Sequence, residues 1–345
     1  MESRRSGEHP GDRRASVDPM SRVGGPLIDI ATMSSGERRR FLSTSGRVRL
    51  ARGIYIRSDD WTSLGHREQA VARIVAAAAA AATLIPAGKS AALIHGMPLA
   101  GSGKAHRVEL ATYGATRGGR AGKGTIYRHL SLPQAVAAEN VTTGFGEVRV
   151  TGPAATGLDL ARWHGLKDAV RCLDFALAED LAEPADLRSA LAAASRVHGI
   201  RHMRDAVALA TRWSGSPRES DLKVELWRAG LPAPLQQVSL YDHRGNFVAR
   251  LDFFWPEIGF GVEYDGRGKF SGGYGIPAGI AAQDDLLRQH RIVNLGVLPF
   301  RVNNDNYLDG TAVPRIVSMY RRVAERGVPL DPALWRGGGP AWSAR

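Results

Sequence analysis

Residues 248–270, VARLDFFWPEIGFGVEYDGRGKF, constrain this chain more than any other stretch. Two apolar-rich strands, 247–254 and 258–264, flank a tight turn at Pro256-Glu257-Ile258-Gly259. Simple hairpin register sets Asp252 opposite Glu263, and Arg250 opposite Asp265. Side chains alternate faces along a strand. Asp252, Glu263 and Asp265 therefore share one face, and Leu251, Phe253, Val262 and Tyr264 take the other. Like charges facing each other across a strand pair are destabilising, so something must compensate three crowded carboxylates. A hard divalent cation suits such oxygen donors, and there it would polarise a phosphodiester and generate hydroxide. Lys269 follows on the loop, within reach of such a site. A solvated hairpin face with Arg250 neutralising Asp265 accounts for the same residues without chemistry. The residues alone leave both readings open.

The flanking pattern from residue 216 onward is α-β-β-β-α-β-(β)-α. Ser216-Pro217-Arg218-Glu219 opens a helix to about Ala229, and strands follow at 237–241, 247–254 and 258–264. A Gly-rich loop, 266–279, leads to a helix at 280–290, strands at 292–295 and 298–302, and a helix at 313–325. Ser216-x-x-Glu219 with proline at the first helical position is a complete capping box, a role for Glu219 that needs no chemistry. Asp284 and Arg288 stand four apart on a helix and pair there in the same bland way.

From Ser216 to about Arg322 the sequence resembles the PD-(D/E)xK nuclease superfamily. The branch is the uncharacterised family related to the very-short-patch-repair endonucleases. The residues that carry this are Asp252, then Glu263-Tyr264-Asp265-Gly266-Arg267-Gly268-Lys269, then Asp284 and Arg288 ahead of a strand ending at Arg301. Asp265 replaces the superfamily lysine, as this branch commonly does, and Lys269 replaces the branch histidine. The resemblance implies an α/β fold with a mixed-sheet, restriction-endonuclease-like C-terminal domain. It implies hydrolysis of DNA with Mg²⁺ (or Mn²⁺). Asp252 and Glu263 would hold the ion, with Asp265 as third ligand or base, Lys269 and Arg288 at the phosphate, and Glu219 and Asp284 as accessory groups.

Ahead of residue 214 the pattern is mainly helical α+β. A short helix is expected at 35–43, a hairpin at 46–60 turning at Arg52-Gly53, and an Ala-rich helix at 66–83. Further helices are expected at 89–95, 153–163, 166–179, 184–196 and 200–212, with short strands at 107–111, 124–128 and 146–150. Arg52-Gly53-Ile54-Tyr55, Ser90-Ala-Ala-Leu-Ile-His-Gly and VTGPAATGLDLAR at 150–162 resemble the AbiEi-type antitoxin family. That resemblance implies a winged-helix element, DNA as a partner and a cognate toxin protein as another. Arg38, Arg39, Arg40, Arg47, Arg49 and Arg52 cluster at the wing, and Arg117, Arg120 and Lys123 occupy the Gly-rich loop 114–124.

The composition bounds the rest. The 345 residues suggest two domains, with a boundary near 214, a disordered tail at 1–25 and a loose tail at 329–345. The single Cys172 cannot form an internal disulfide and reads as core. The longest apolar run, within 73–86, is too short to span a bilayer, and no apolar signal core opens the chain. A cytoplasmic protein without a membrane partner is expected. Gly88-Lys89-Ser90 lacks the first glycine of a P-loop, since Thr83 stands there. Neither a zinc-hydrolase histidine pattern nor a serine-hydrolase elbow is present. Two function classes stay open: a metal-dependent endonuclease, or a non-catalytic antitoxin-like transcriptional regulator with a degenerate nuclease fold. A homodimer suits either.

Lys and Arg exceed Asp and Glu by 46 to 34, a net charge of +12. A surplus of this size points to a polyanion. Affinity for duplex DNA is expected to fall steeply and log-linearly with salt, because phosphate contacts release counterions. Titrations at several NaCl concentrations check this, and a flat response contradicts phosphate-dominated binding.

Overall fold

The computed structural model describes residues 26–81, 83–100, 107–112, 124–130, 138–194, 197–265 and 278–343. The expected tail 1–25, the loop residues Arg117, Arg120 and Lys123, and Lys269 lie outside the described residues. The chain is a mixed α/β protein with mixed sheets.

Strand β1 (Ile28–Asp29) leads through a 3-10 turn to helix α1 (Ser35–Ser43), which Ser34 and Glu37 cap reciprocally. The hairpin of β2 (Arg47–Ala51) and β3 (Ile54–Arg57) follows as expected, and β1 adds beyond β3. Its turn needs Gly53, whose φ is 80°, a conformation only glycine adopts without steric cost. Among the described residues α1 is the one α-helix ahead of this hairpin. Helix α2 (Ser58–Ser63) then precedes α3 (His66–Ala79), which buries Val71, Ile74 and Val75 at helical spacing.

A small three-stranded sheet comes next, formed by β4 (Ile85–Pro86), β5 (Val108–Thr112) and β6 (Thr125–His129), with α4 (Gly88–Ile94) between β4 and β5. β7 (Ala138–Thr143) pairs with β8 (Gly146–Thr151). Neither β4 nor β7 is visible in the sequence: Pro86 reads as a helix stop, and AENVTT is too polar to register as a strand. Helices α5 (Pro153–Trp163), α6 (Leu166–Ala178), α7 (Pro184–Ala193) and α8 (Ile200–Leu209) form a bundle. α6 is buried on almost every side, Cys172 included.

The C-terminal region opens with α9 (Pro217–Arg228) and a meander of β9 (Leu235–Tyr241), β10 (Phe247–Trp255) and β11 (Phe260–Asp265). Helix α10 (Ala278–Asn294) crosses over to β12 (Leu298–Asn303), which runs parallel to β11, as a parallel neighbour requires. The predicted turn register holds, with Phe253 opposite Val262 and Trp255 opposite Phe260. Helices α11 (Asn304–Leu308) and α12 (Ala312–Ala324) follow, and Tyr320 of α12 meets the ring of Trp255 edge-on at 5.3 Å.

Two expectations are corrected. Residues 292–295 are not a strand: Ile292 lies in the last turn of α10 and packs with Phe254 and Val297. A short apolar run carries no periodicity that separates helix from strand. Nor is 329–345 a loose tail. β13 (Trp335–Arg336) and β14 (Gly339–Pro340) pair with β9, Leu330 N–H donates to Pro256 O at 2.8 Å, and Leu334 and Trp342 are buried. Pro and Gly there mark tight turns, not looseness.

The expected boundary near 214 separates two sets of sheets but not two cores. One apolar cluster runs from Val71 through α5 and α6 to Leu222, Phe253 and Trp342. At this seam Lys223 of α9, fully buried, places Nζ 2.7 and 2.9 Å from the two carboxylate oxygens of Asp174 on α6. Asp174 also accepts from the Ser220 hydroxyl at 2.6 Å and the Thr211 N–H at 2.9 Å. Beside it Arg171 donates from Nε and from a terminal nitrogen to Asp221, at 2.8 and 2.6 Å. Leaving one partner of such a pair buried alone costs about 3–5 kcal/mol.

Burying each large apolar side chain contributes about 1.5–3 kcal/mol. A chain ending at Val328, lacking Leu330, Leu334 and Trp342, is therefore expected to melt well below the full chain. An unchanged melting temperature by calorimetry would return the segment to a loose tail.

Candidate functional site

Where α9 meets the middle of the meander, the Asp252 carboxylate has Glu219 and Glu263 as its charged neighbours. Glu219 lies in the first turn of α9. Ser216 Oγ accepts from its N–H at 3.2 Å, as the capping pattern predicts, but its carboxylate accepts from Gly215 N–H at 2.7 Å instead of closing the box on Ser216. The Gln237 side-chain amide of β9 donates to Glu219 at 2.8 Å and to Asp252 at 3.1 Å. Gln237 does so from a backbone φ of 55° in the middle of a strand, which is uncommon for a non-glycine residue and reads as local strain tied to this bridge.

Asp252 departs from the simple hairpin. Its second carboxylate oxygen accepts the Tyr264 backbone N–H at 2.7 Å, so the side chain occupies a ladder position between β10 and β11. Paired residues between those strands begin at Phe253 and Val262. Alternation breaks at the same point: Leu251 packs with Phe254 in one cluster, whereas Phe253, Val262 and Tyr264 belong to the other. The expectation that Leu251 shares a face with Phe253 is corrected accordingly. Burial pushes the Asp252 carboxyl up to about 7, and the neighbouring Glu219 and Glu263 charges add to the rise.

Glu263 is buried and committed to cations. Arg288 of α10 grips it with two contacts, at 2.7 and 3.1 Å, and Arg301, its register partner on β12, approaches to 3.4 Å. Arg301 also sits 3.3 Å from Asp265 and donates to Asp285 at 2.6 Å. Arg288 reaches Asp285 at 3.1 Å. The two arginines hold Asp285 below the usual carboxylate range, through hydrogen bonds from Arg301 first.

These positions correct several expectations. Arg288 is engaged with Glu263 and Asp285, so it is not presented as a phosphate contact. Asp284 is exposed, and its neighbour Asp285 makes the helix-to-sheet contacts. Arg250 is exposed and pairs in register with Ser239, and the cation beside Asp265 is Arg301. Among the described residues no three acidic, His or Cys side chains already converge at metal-ligand spacing. The donor chemistry still fits a hard cation. Glu219 and Glu263 are buried oxygen donors and Asp252 a half-buried one, and among the described residues the region sets five carboxylates against two guanidiniums. For Glu263 to join, Arg288 must yield.

Gln237, Asp285, Arg301 and Lys223 escaped the sequence reading as site or supporting residues. Only Asp285 left a signal, since it is three residues before Arg288 as Asp284 is four before it. The others depend on strand neighbours that no local spacing encodes.

In the N-terminal half Arg38, Arg39 and Arg40 are exposed on α1, with Arg38 Nε donating to Ile30 O at 3.0 Å. Arg47 folds inward over the Phe41 ring at 5.1 Å and donates to the Leu42 carbonyl, which makes it a local brace rather than an open contact. Arg49 and Arg52 face a cleft between the hairpin, α3 and the sheet edge of β5 and β6. Among the described residues no helix is long and apolar enough to cross a membrane.

Folded Asp252 keeps its proton to about pH 7, whereas an unfolded aspartate releases it near 3.9. Folding then takes up a proton between about pH 4 and pH 7, and stability from this group declines as pH rises through that window. Asp252→Asn removes the decline, so the variant should gain stability relative to wild type from pH 4 to pH 8. Melting curves at stepped pH read this directly. Curves that stay parallel would put Asp252 in an ordinary solvated setting.

No family model matches the chain. Two curated proteins of Mycobacterium tuberculosis, the uncharacterised MT2308 of strain CDC 1551 and Rv2248 of strain H37Rv, are each 30% identical over 115 residues. The match covers 33% of this chain and 42% of each relative, so the chain is similar to less than half the length of these proteins.

Proposed function

We propose that this chain is a DNA-binding protein whose C-terminal sheet carries a Mg²⁺- or Mn²⁺-dependent phosphodiesterase site of the restriction-endonuclease-like kind. Phage defence or a toxin–antitoxin pair, with a cognate toxin as partner, is the setting that goes with it. The observation that carries the reading is the half-buried Asp252 carboxyl, desolvated and pushed up to about 7 with Glu219 and Glu263 beside it. Perturbed, desolvated carboxylates of this kind cluster at functional sites. Supporting it is the order of α9, the antiparallel meander β9–β11, the α10 crossover and the parallel β12.

Asp252 and Glu219, held in place by the Gln237 amide, would ligate the cation, with Glu263 joining when Arg288 swings off. When bound, the ion supplies Lewis-acid charge at a phosphodiester. Asp265, half-buried at the end of β11, would orient water or accept its proton. Arg301 keeps Asp265 and Glu263 in position from the neighbouring strand.

A second reading has its own observation. Glu263 is already neutralised by Arg288 and Arg301, as suits a regulator whose sheet binds without cleaving.

Asp252→Asn is expected to abolish metal-dependent nicking of supercoiled DNA while duplex affinity stays near wild type. Mg²⁺ should raise the melting temperature of the wild type by ligand linkage and that of the variant less. Absence of both cleavage and a metal-induced shift in the wild type, with Mg²⁺ and with Mn²⁺, sinks the nuclease reading in favour of the regulator. A variant that cleaves normally shows the site is wrongly assigned.

A further inference from the structure

The N-terminal half holds a cleft of about 800 Å³ bounded by the β2–β3 hairpin, the C-terminal half of α3 and the edge of the β5–β6 sheet. Four arginines line it: Arg49, Arg52, Arg73 and Arg107. All four are exposed, and among the described residues none forms an ion pair. Their contacts leave guanidinium nitrogens to spare. Arg49 donates from Nε to Ala51 O at 3.3 Å, Arg107 from one terminal nitrogen to Thr125 O at 3.3 Å, and Arg73 stacks over Trp61 at 4.8 Å. Among the described residues no carboxylate lines the cleft.

A second arginine-lined cleft shows what self-neutralisation looks like in this protein. There Arg171 and Arg218 lie 2.6 and 3.7 Å from Asp221, which lines the same cleft. The first cleft lacks any such counter-ion among the described residues, so its cations await an external anion.

Between the arginines the lining is largely apolar. Ala77, Ala80 and Ala81, of α3 and the turn after it, line it, as does the exposed Tyr127 of β6. A phosphate alone needs only the cations. An apolar lining with an exposed aromatic side chain is what unpaired bases seek, since stacking on an aromatic side chain needs no particular sequence. In a duplex those base faces are hidden in the stack, and a concave cleft offers nothing to the outside of the rod beyond charge.

We infer that this cleft binds a single strand of DNA, with the four guanidiniums on its phosphates and Tyr127 against a base. The inference rests on the DNA-binding reading above and names the strand form that the N-terminal half takes. It does not depend on cleavage.

The test uses the full chain and a fluorescein-labelled oligo-dT, with a duplex of mixed sequence as comparator, by anisotropy in EDTA so that no metal chemistry intervenes. The wild type should bind the single strand more tightly than the duplex. The double variant Arg73→Gln/Arg107→Gln should weaken single-strand binding at least about tenfold and reduce the slope of log K against log salt by about 1.4, roughly 0.7 for each phosphate left without its guanidinium. Tyr127→Ala should weaken binding with the salt slope unchanged. Ala80→Glu sets a carboxylate on an exposed wall position and guards against a misfolded double variant; it too should weaken the single strand. Wild-type binding confined to duplex, or variants that bind the single strand as wild type does, overturns the inference. Loss of Mg²⁺-dependent nicking with single-strand binding intact would defeat the nuclease reading alone.

Discussion

The buried pair between Asp174 and Lys223 sets the frame to which the other contacts of this protein conform. Both charges are out of water, so each is tolerable only while it faces the other. That requirement holds α6 and α9 in one relative position. Glu219 stands four residues before Lys223 on α9, one helical turn away, and so its approach to the sheet is set by the same contact. A helix held by apolar packing alone can slide by a fraction of a turn. One held by a charge with four hydrogen bonds from Lys223, Ser220 and Thr211 cannot do so without leaving an ion unpaired.

With α9 fixed, the sheet beneath it bends to meet it. Gln237 adopts a left-handed backbone conformation, and the Asp252 carboxylate replaces a ladder bond to Tyr264. Both distortions fall on neighbouring strands at one level of the sheet. Together they turn an ordinary antiparallel meander into a place where Glu219 and Asp252 approach each other across an amide. Further along β11 the negative charge is balanced differently, by Arg288 and Arg301. The acidic face is thus divided into a part balanced by the Arg288 and Arg301 guanidiniums and a part whose charge is eased by protonation of Asp252.

The N-terminal half carries the opposite imbalance. Among the described residues its arginines at the cleft have no acidic partners, whereas others, such as Arg171 and Arg301, are paired within the fold. The positive charge of the chain therefore serves more than one purpose. Part of it is internal wiring, and part stands free around a concave surface with apolar walls.

The order of most elements and the turn register of the acidic hairpin were legible in the amino-acid sequence. Helix periodicity, the Ser216 cap, the Arg52-Gly53 turn and the Pro256–Gly259 turn are all local signals, set by backbone geometry within a few residues. The nearness of Asp252 and Glu263 was legible too, since a two-strand register follows from the turn. Which cations answer those carboxylates was settled only by the folded chain. Arg301 faces Glu263 only because β12 returns parallel to β11, and Asp285 rather than Asp284 points inward only because α10 rotates that face to the sheet. Gln237 and Lys223 were invisible for the same reason: their partners, Asp252 and Asp174, are 15 and 49 residues away. The C-terminal strands were misread because proline and glycine report turns but not what the residues between them touch. Burial of Leu330, Leu334 and Trp342 against β9 and its surroundings is a property of the folded chain, and no pattern inside the segment encodes it.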